Sequence, residues 1–270
     1  MGSEDVFQVA LRGRGGKQDV SGFFELANLP AVRYRLADGS LVTIRQEPEV
    51  EDCTGGIVWE TAYLLATYLE ERRMWKGVRV MDIGAGCGML GLILAAAGAD
   101  VTLTEVPQAM RNLRRNVDSY NSAAKGASHE RPVARQLDWC SAADLAAFQG
   151  ATFDVMVATD VVFSASLVEP LLRVMHAMSH RGTTIYMCME ERCPDAHARL
   201  MERAPLYFIL HDETELLHNT PACSLAKELG IFLFRLDGRR EDPPVVPAAL
   251  EGGASPPSGA TVEVRGEATG

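Results

Sequence analysis

Three glycines spaced by single residues, with a carboxylate just before them, are the feature of the sequence that says most about chemistry. The apolar run Val78–Ile83 ends at Gly84, Gly86 and Gly88, and Asp82 stands two residues before the first of these glycines. Glycines allow a tight turn and let a ligand approach the backbone. The GxGxG spacing differs from the GxGxxG pattern of nicotinamide-binding proteins. Asp82 would repel a pyrophosphate but attract an ammonium group, such as that of a methionine moiety.

A second carboxylate, Glu105, ends the next apolar run along the chain. An acid at this position of an α/β fold can accept hydrogen bonds from both hydroxyls of a ribose. Asp82, the glycines and Glu105 together favour S-adenosylmethionine over a nicotinamide cofactor. The alternative interpretation is a tight glycine turn that binds no ligand.

The elements that must position this loop predict an α/β fold. From residue 78 onward, short apolar runs alternate with stretches whose apolar residues recur at helical spacing. Such alternation favours parallel strands joined by right-handed crossovers, with helices on both faces of the sheet. We therefore predict a Rossmann-like, seven-stranded, mostly parallel sheet. Its strands are predicted at Val78–Ile83, Val101–Thr104, Pro132–Leu137, Phe153–Ala158, Thr183–Met189, Leu206–Leu210 and Ile231–Leu236.

A β-hairpin is predicted before this sheet. Val32–Leu36 and Leu41–Arg45 alternate in polarity and are joined around Asp38 and Gly39, a strong signal for a hairpin turn. Apolar residues at helical spacing then predict a helix that begins near Trp59.

Composition divides the chain into three parts. Residues 238–270 are rich in Pro, Gly, Ser and Ala, with few large apolar side chains, so we predict a disordered C-terminal tail. The expected organisation is a partly flexible N-terminal extension over 1–30, one catalytic domain over 31–237, and this tail.

Charge and cysteine usage restrict the partners. The chain of 270 residues has a formal net charge of −10, whereas proteins that bind nucleic acid through its phosphates present basic surfaces. A basic peptide or a protein lysine is the more compatible partner. The six cysteines form no CxxC pair and have no His at metal-ligand spacing, so no metal site is expected. No apolar run is long enough to span a membrane, and we expect a cytoplasmic monomer with free thiols.

The chain resembles family 16 of the class I S-adenosylmethionine-dependent methyltransferases, most of whose characterised members methylate lysines in proteins. The resemblance extends from about Arg33 to Arg235. The glycine loop marks only the superfamily, whereas the other motifs, in this order, are more specific. The motifs are Thr54-Gly55-Gly56-Ile57-Val58-Trp59, the Asp82–Gly88 loop, Glu105, Leu137-Asp138-Trp139 and Asp160-Val161-Val162-Phe163.

The resemblance implies a set of cofactor contacts. Trp59 would lie at the methionine end of S-adenosylmethionine and Trp139 beside its adenine, although a tryptophan is more often part of a core. Thr159 would also contact the cofactor. Asp138 either takes part in this site or caps the helix predicted near Ser141. The cofactor-binding residues are therefore predicted to be Trp59, Asp82, Gly84, Ala85, Gly86, Gly88, Glu105, Trp139 and Thr159.

Asp160 and Phe163 are the predicted catalytic residues. Asp160 follows a buried strand at the sheet edge that faces the methyl group in this fold, where it would hold the target nitrogen by a hydrogen bond. The alternative for Asp160 is an N-cap of the following helix. Phe163 would form a wall of the channel; the family motif often ends in Tyr, and a mechanism that relies on a tyrosine hydroxyl is therefore in doubt here. The charged loop Glu190-Glu191-Arg192 either faces the substrate or is simply solvated.

The leading functional hypothesis is a protein-lysine methyltransferase. The alternatives are a methyltransferase for a small molecule or a nucleic acid, a non-catalytic scaffold that keeps the cofactor pocket, and a nicotinamide oxidoreductase. The Asp-Pro-Pro-Tyr motif of base-amine methyltransferases is absent, because Val161 and Val162 stand where its prolines would. The choice of acceptor is expected to lie in residues 11–30 and 190–225.

Overall fold

The computed structural model describes the hairpin region, the α/β domain and the first residues after it. Most of the predicted N-terminal extension and residues 244–270 of the predicted tail lie outside the described residues. Just after the domain, Arg240 donates its backbone N–H to the carbonyl of Tyr207 at 2.8 Å. The domain limits at 31 and 237 stay predictions. The described residues are 7–9, 29–48, 54–70, 72, 75–124, 131–223 and 225–243.

The N-terminal strands form a small sheet of their own. Strand β1 (Phe7–Val9) pairs in parallel with β2 (Ala31–Arg35), and β2 pairs antiparallel with β3 (Leu41–Arg45). The β2–β3 pair confirms the predicted hairpin, and Gly39 takes the positive φ of 89° that its turn requires. Buried and exposed residues alternate along β3, so the hairpin packs one face against the domain.

Seven further strands form the central sheet. They are β4 (Arg79–Ile83), β5 (Asp100–Glu105), β6 (Val133–Gln136), β7 (Phe153–Thr159), β8 (Ser179–Glu190), β9 (Ile209–Asp212) and β10 (Ile231–Asp237). Their order is β6-β5-β4-β7-β8-β10-β9, and only β10 runs antiparallel to its neighbours. The predicted mostly parallel sheet is confirmed. Strand order reverses between β4 and β7, which is where sheets of this kind bind ligands.

Most strand ends lie within one residue of the prediction, but two strands begin clearly elsewhere. Strand β8 begins at Ser179 rather than Thr183, because Ser179 already pairs with Phe153 before the register shifts. The strand predicted at Leu206–Leu210 begins later, since Ala204–Leu206 forms a 3-10 helix. An apolar run predicts that an element exists better than it predicts where pairing begins.

Helices cover both faces of the central sheet, as predicted, and divide the core into two clusters. One cluster lies against α1, α2 and α3, and the other lies against α5 and α6. Alternate residues of β7 reach opposite clusters, which explains why this strand is apolar from Val155 to Ala158. None of the helices in the described residues is long and apolar enough to cross a membrane. The helices are α1 (Glu60–Glu70), α2 (Met89–Ala96), α3 (Met110–Ala123), α4 (Ala142–Ala146), α5 (Ala165–Ala177), α6 (Pro194–Arg203), α7 (Thr214–His218) and α8 (Leu225–Glu228).

Candidate active site

The glycine loop joins β4 to α2 at the carboxyl edge of the sheet. Gly84, Gly86 and Gly88 have φ values of 65°, 55° and 86°, a region that residues with a side chain rarely adopt. A Cβ atom on Gly84 would lie 2.9 Å from Cγ1 of Val161, in the loop that follows β7. Ala85 donates its backbone N–H to the carbonyl of Thr104 at 2.9 Å, which fixes the loop beside β5. Glycine is therefore required here both by the backbone and by the close approach of the neighbouring loop.

Asp82 lies beneath this loop and is only 1% exposed. Its Oδ2 accepts a hydrogen bond from the backbone N–H of Gly91 at 2.9 Å, in the first turn of α2. Its Oδ1 is buried and has no hydrogen-bond partner among the described residues. Burial, with a smaller contribution from the charge of Glu105, raises the pKa of Asp82 to about 7. Asp82 thus supports the loop from below and retains an unused acceptor.

Glu105 ends β5 and turns its carboxylate toward the glycine loop. Oε1 accepts from the backbone N–H of Gly86 at 3.1 Å, and Oε2 accepts from that of Val106 at 2.5 Å. Burial raises the pKa of Glu105, while these two amides act in the opposite direction. Neither Glu105 nor Asp82 forms an ion pair with a basic side chain in the part of the chain that the structure describes. The structure therefore brings both predicted acids to one loop without a cation.

Two asparagines of α3 join the glycine loop to the hairpin. Asn116 of α3 donates to the carbonyl of Cys87 at 2.8 Å and to that of Arg45 at 2.9 Å. Asn112, one turn earlier, also donates to Arg45, at 3.2 Å. Neither asparagine was predicted from the sequence. Their spacing could have indicated this role. Both lie four residues apart next to the apolar face of a helix, and a buried side-chain amide needs a hydrogen-bond partner.

The two predicted cofactor tryptophans are half-buried at the carboxyl edge, whereas Trp75 is the tryptophan of the core. Cζ2 of Trp139 would lie 3.5 Å from a Cβ atom on Gly84, so its indole adjoins the glycine loop. Trp59 directly precedes α1, and the guanidinium of Arg192 lies 4.4 Å from the centre of its ring. The roles of both tryptophans toward the cofactor, and that of Thr159 at the end of β7, stay predictions.

Asp160 is the residue whose local geometry is most unusual. It is the one non-glycine residue with a positive φ, 52°, among those described. Its Oδ1 accepts from the backbone N–H of Glu190 at 2.9 Å, and its Oδ2 accepts from Thr61 at 3.0 Å and from Arg192 at 3.3 Å. The alternative of an N-cap is wrong, because Ser164 is the N-cap residue of α5. A strained backbone held by three partners is typical of a functional position.

Phe163 lies in the same loop as Asp160, between β7 and α5. Its side chain is 49% exposed, which is unusual for a large apolar residue. Its expected role as a wall of the channel stays a prediction. The exposed aromatic ring in this loop is available to contact another molecule.

Charged side chains of two other elements surround Asp160. Arg192, in the loop after β8, pairs with Oε2 of Glu190 at 2.9 Å as well as with Asp160. Burial raises the pKa of Glu60 at the start of α1, the charge of Arg192 lowers it, and the charges of Asp160 and Glu190 raise it further. The Glu190–Arg192 loop thus lies beside Asp160, and the structure favours this interpretation over a loop that is simply solvated. The contributions of Glu60 and Thr61 were not anticipated.

Asp138 does not cap the helix after it, so that alternative is wrong. Ser141 is the N-cap residue of α4, and its side chain accepts from the backbone N–H of Asp144 at 3.1 Å. Oδ1 of Asp138 instead accepts from the backbone N–H of Cys140 at 2.9 Å. A role for Asp138 in the cofactor site stays open as a prediction.

No group of three His, Cys, Asp or Glu side chains within the described ranges is placed to hold a metal ion. The expectation of a reaction without a metal rests on the sequence, and it stays a prediction.

Comparison with known proteins shows the family of this chain. The sequence model of the family described as lysine methyltransferase matches residues 37–205, a stretch that contains the glycine loop, Glu105 and Asp160. The chain belongs to this family. The match begins within the hairpin and ends after α6, so it includes every residue predicted for the site.

Individual family members are similar over part of their length. Protein-lysine methyltransferase METTL21E of Bos taurus is 34% identical over 149 residues, which cover 53% of this chain and 50% of that protein. EEF1A lysine methyltransferase 3 of Xenopus tropicalis is 28% identical over 136 residues, which cover 50% of this chain and 57% of that protein. The chain spans about half the length of the curated relatives it matches.

A solved structure supports the fold. The 16S rRNA N2 G1207 methyltransferase of T. Thermophilus, in complex with AdoMet and guanosine, superposes with a TM-score of 0.53 and 21% identity. The similarity covers 77% of this chain and 50% of that one. At this identity the similarity shows a shared Rossmann-like fold.

Proposed function

We propose that this family member transfers a methyl group from S-adenosylmethionine to the side-chain nitrogen of a lysine in a protein substrate. The observation that carries the proposal is the meeting of the glycine loop and Asp160 at one sheet edge, where Val161 would collide with any side chain at Gly84. A cofactor in the loop and an acceptor at Asp160 would therefore be neighbours. The names of the matched lysine methyltransferases support the choice of acceptor.

The chemistry of the loop fits a cationic cofactor. Asp82 and Glu105 are buried without a described cationic partner, and the free Oδ1 of Asp82 leaves acceptor capacity under the glycines. The positive φ values at Gly84 and Gly86 turn the chain tightly directly above these two acids. We therefore assign Asp82 to the ammonium end of the cofactor, directly or through water, and Glu105 to the ribose hydroxyls. A pyrophosphate would meet two acids here and be repelled.

The residues of this chain would orient the acceptor amine and would form no covalent intermediate. When bound, the cofactor supplies a methyl group on a positively charged sulfur, and transfer to a neutral amine leaves a neutral thioether. A lysine with an ordinary pKa of ~10.4 arrives as an ammonium and must lose a proton to solvent before transfer. Asp160 would then accept a hydrogen bond from the amine and hold its lone pair toward the methyl carbon. Trp59 and Phe163 would exclude water from the approach, so that most of the rate gain comes from alignment.

We further propose a cytoplasmic monomer that acts on a protein and not on nucleic acid. The net charge of −10 supports this choice, because a protein that neutralises phosphates needs a basic surface. The three-part organisation, with the catalytic domain over 31–237, belongs to the same proposal.

Calorimetric titration tests the cofactor directly. We expect S-adenosylmethionine and S-adenosylhomocysteine to bind and NAD not to bind. Gly84→Ala is expected to weaken binding more than tenfold, because its new methyl group meets Val161 in a loop that must keep its shape. Gly150→Ala is the matched control, since Gly150 also has a positive φ, 79°, but has no atom within 4 Å of the position that a new methyl group would take.

Methyl transfer is then tested on lysate proteins with a radiolabelled donor. Label on lysine side chains supports the proposal in full. Binding of both sulfur compounds without any transfer would indicate a scaffold, and no binding of either compound would overturn the assignment of the cofactor.

A further inference from the structure

The positively charged guanidinium of Arg192 lies directly beside the carboxylate of Asp160. Its guanidinium donates to Oδ2 of Asp160 at 3.3 Å and pairs with Oε2 of Glu190 at 2.9 Å. The same group lies 4.4 Å from the centre of the Trp59 ring. Two carboxylates and an aromatic face are the features with which proteins recognise cations. We call these three groups, from Trp59, Asp160 and Glu190, the cation subsite.

The cation subsite is closed to a second cation while Arg192 fills it. The side chain of Asp160 is 5% exposed, and its two oxygens accept from Glu190, Thr61 and Arg192. Of these partners, Glu190 donates from the backbone and Thr61 from α1, so both belong to fixed elements. Arg192 is the partner that can leave. An amine that is to be held by Asp160 must therefore take the position of the guanidinium.

We propose that Arg192 is an internal substitute for the acceptor lysine, which must displace it from the cation subsite to reach Asp160. This inference rests on the proposed function, because it assigns the subsite to the substrate of that reaction. Arg192 is accordingly a gating residue rather than a catalytic one. The substrate class it defines is an alkylammonium side chain that presents a full positive charge before it is deprotonated.

Arg192 is held more weakly by Glu190 than by Asp160. The side chains of Arg192 and Glu190 are 33% and 44% exposed, so solvent screens their attraction. The side chain of Asp160 is 5% exposed, so a guanidinium that leaves it must be replaced by another cation. The loop that bears Arg192 lies between β8 and α6, so the side chain can turn outward without breaking sheet pairing. A lysine ammonium that replaces the guanidinium also preserves the charge balance of the subsite.

The test uses n-butylammonium, which has the alkyl length of a lysine side chain, as the probe. It is titrated into the full chain, with and without saturating S-adenosylhomocysteine, and the indole resonance of Trp59 is followed by NMR. We expect Arg192→Ala to lower the dissociation constant of the probe about fivefold, and Arg192→Gln, which keeps a donor but no charge, to act in the same direction. A fivefold change corresponds to about 1 kcal/mol. Asp160→Asn added to Arg192→Ala should remove the gain.

Arg199→Ala is the matched control. Arg199 pairs with Glu202 on the exposed side of α6, so its loss changes the net charge equally without touching the subsite. If both Arg192 variants bind the probe no more tightly than the wild type, Arg192 is a strut that holds Asp160, and the inference is overturned. Failure of the proposed function is distinguishable, because it would appear as the absence of S-adenosylhomocysteine binding to the wild type.

Discussion

Asp154 lies near the amino end of β7 and Asp160 directly follows its carboxyl end, and the surroundings of the two carboxylates differ. Asp154 accepts from the backbone and the guanidinium of Arg79, both at 2.9 Å, and from His180 at 3.1 Å. It remains 32% exposed, and hydrogen bonds from Arg79 hold its pKa well below the usual range. Asp160, in contrast, is almost completely buried on a strained backbone.

The amino edge of the sheet therefore stabilises the fold, whereas the carboxyl edge contains groups that destabilise the fold and are free to interact with a ligand. At the amino edge, the Asp154 cluster ties β4, β7 and β8 together, and Asp154, Arg79 and His180 all have a negative φ. At the carboxyl edge, the buried carboxyl of Asp82 has a pKa raised to about 7, and Asp160 has a positive φ. Features that oppose folding are retained where a ligand can compensate for them. Substitution of the acids at the two edges should therefore have opposite consequences.

The largest contrast is expected for catalysis. Asp160→Asn keeps the size of the side chain and tolerates a positive φ, but it replaces the oxygen that would accept from the amine. We expect methyl transfer to lysate proteins to fall about 100-fold, in the range that loss of a positioned polar group causes. Binding of S-adenosylhomocysteine should change less than twofold. Asp154→Asn, the same substitution at the other edge, should leave transfer unchanged, and equal losses in both variants would refute the contrast.

A smaller effect of opposite sign is expected at Asp82. Below about pH 3 this carboxyl is protonated in both the folded and the unfolded state, so its ionisation does not affect stability. As the pH rises from about 4 to 7, it ionises in the unfolded chain but not in the fold, so the wild type loses stability until the group also ionises in the fold. Asp82→Asn should therefore be more stable than the wild type at pH 8, by about 1–2 kcal/mol.

Urea unfolding at pH 4 and pH 8 measures the effect of Asp82→Asn. The gain should be present at pH 8 and nearly absent at pH 4, while the affinity for S-adenosylmethionine falls. A variant that is less stable at pH 8 would show that the ionised carboxylate supports the loop rather than opposing its folding.

The sequence predicted the parts of the site that depend on local pattern. Gly84, Gly86 and Gly88 follow an apolar strand and precede a helix, and Glu105 ends the next parallel strand. Parallel strands bring their carboxyl ends to one edge, so the order of the elements along the chain was enough to place these residues together. The same reasoning predicted seven strands and helices on both faces.

The partners of Asp160 could not be predicted in this way. Thr61 is 99 residues away in sequence and Arg192 is 32 residues away, and each belongs to an element end without periodic pattern. The side chain that reaches Asp160 depends on how α1 and the loop after β8 pack on the sheet, which is a property of tertiary structure. The N-cap at Ser141 shows a related limit of prediction from sequence. Asp138 and Ser141 are both favourable N-cap residues, and only the backbone conformation shows which of them caps the helix.

The smallest predicted effect is the loss of stability in Asp154→Asn, at the amino edge of the sheet, and this loss depends on pH. The pKa of Asp154 is depressed in the fold, so its stabilisation is fully present above the unfolded pKa near ~3.9 and is lost as the pH falls toward the folded value. Because the group is one third exposed, solvent screening limits the loss in Asp154→Asn to about 1 kcal/mol at pH 7. The exposed Asp118 of α3 is the control, and Asp118→Asn should change stability by less than half of that. In urea unfolding the difference between the wild type and Asp154→Asn should shrink as the pH falls from about 5 toward about 2; a difference that stays constant over this range would mean that packing, and not charge, holds this edge.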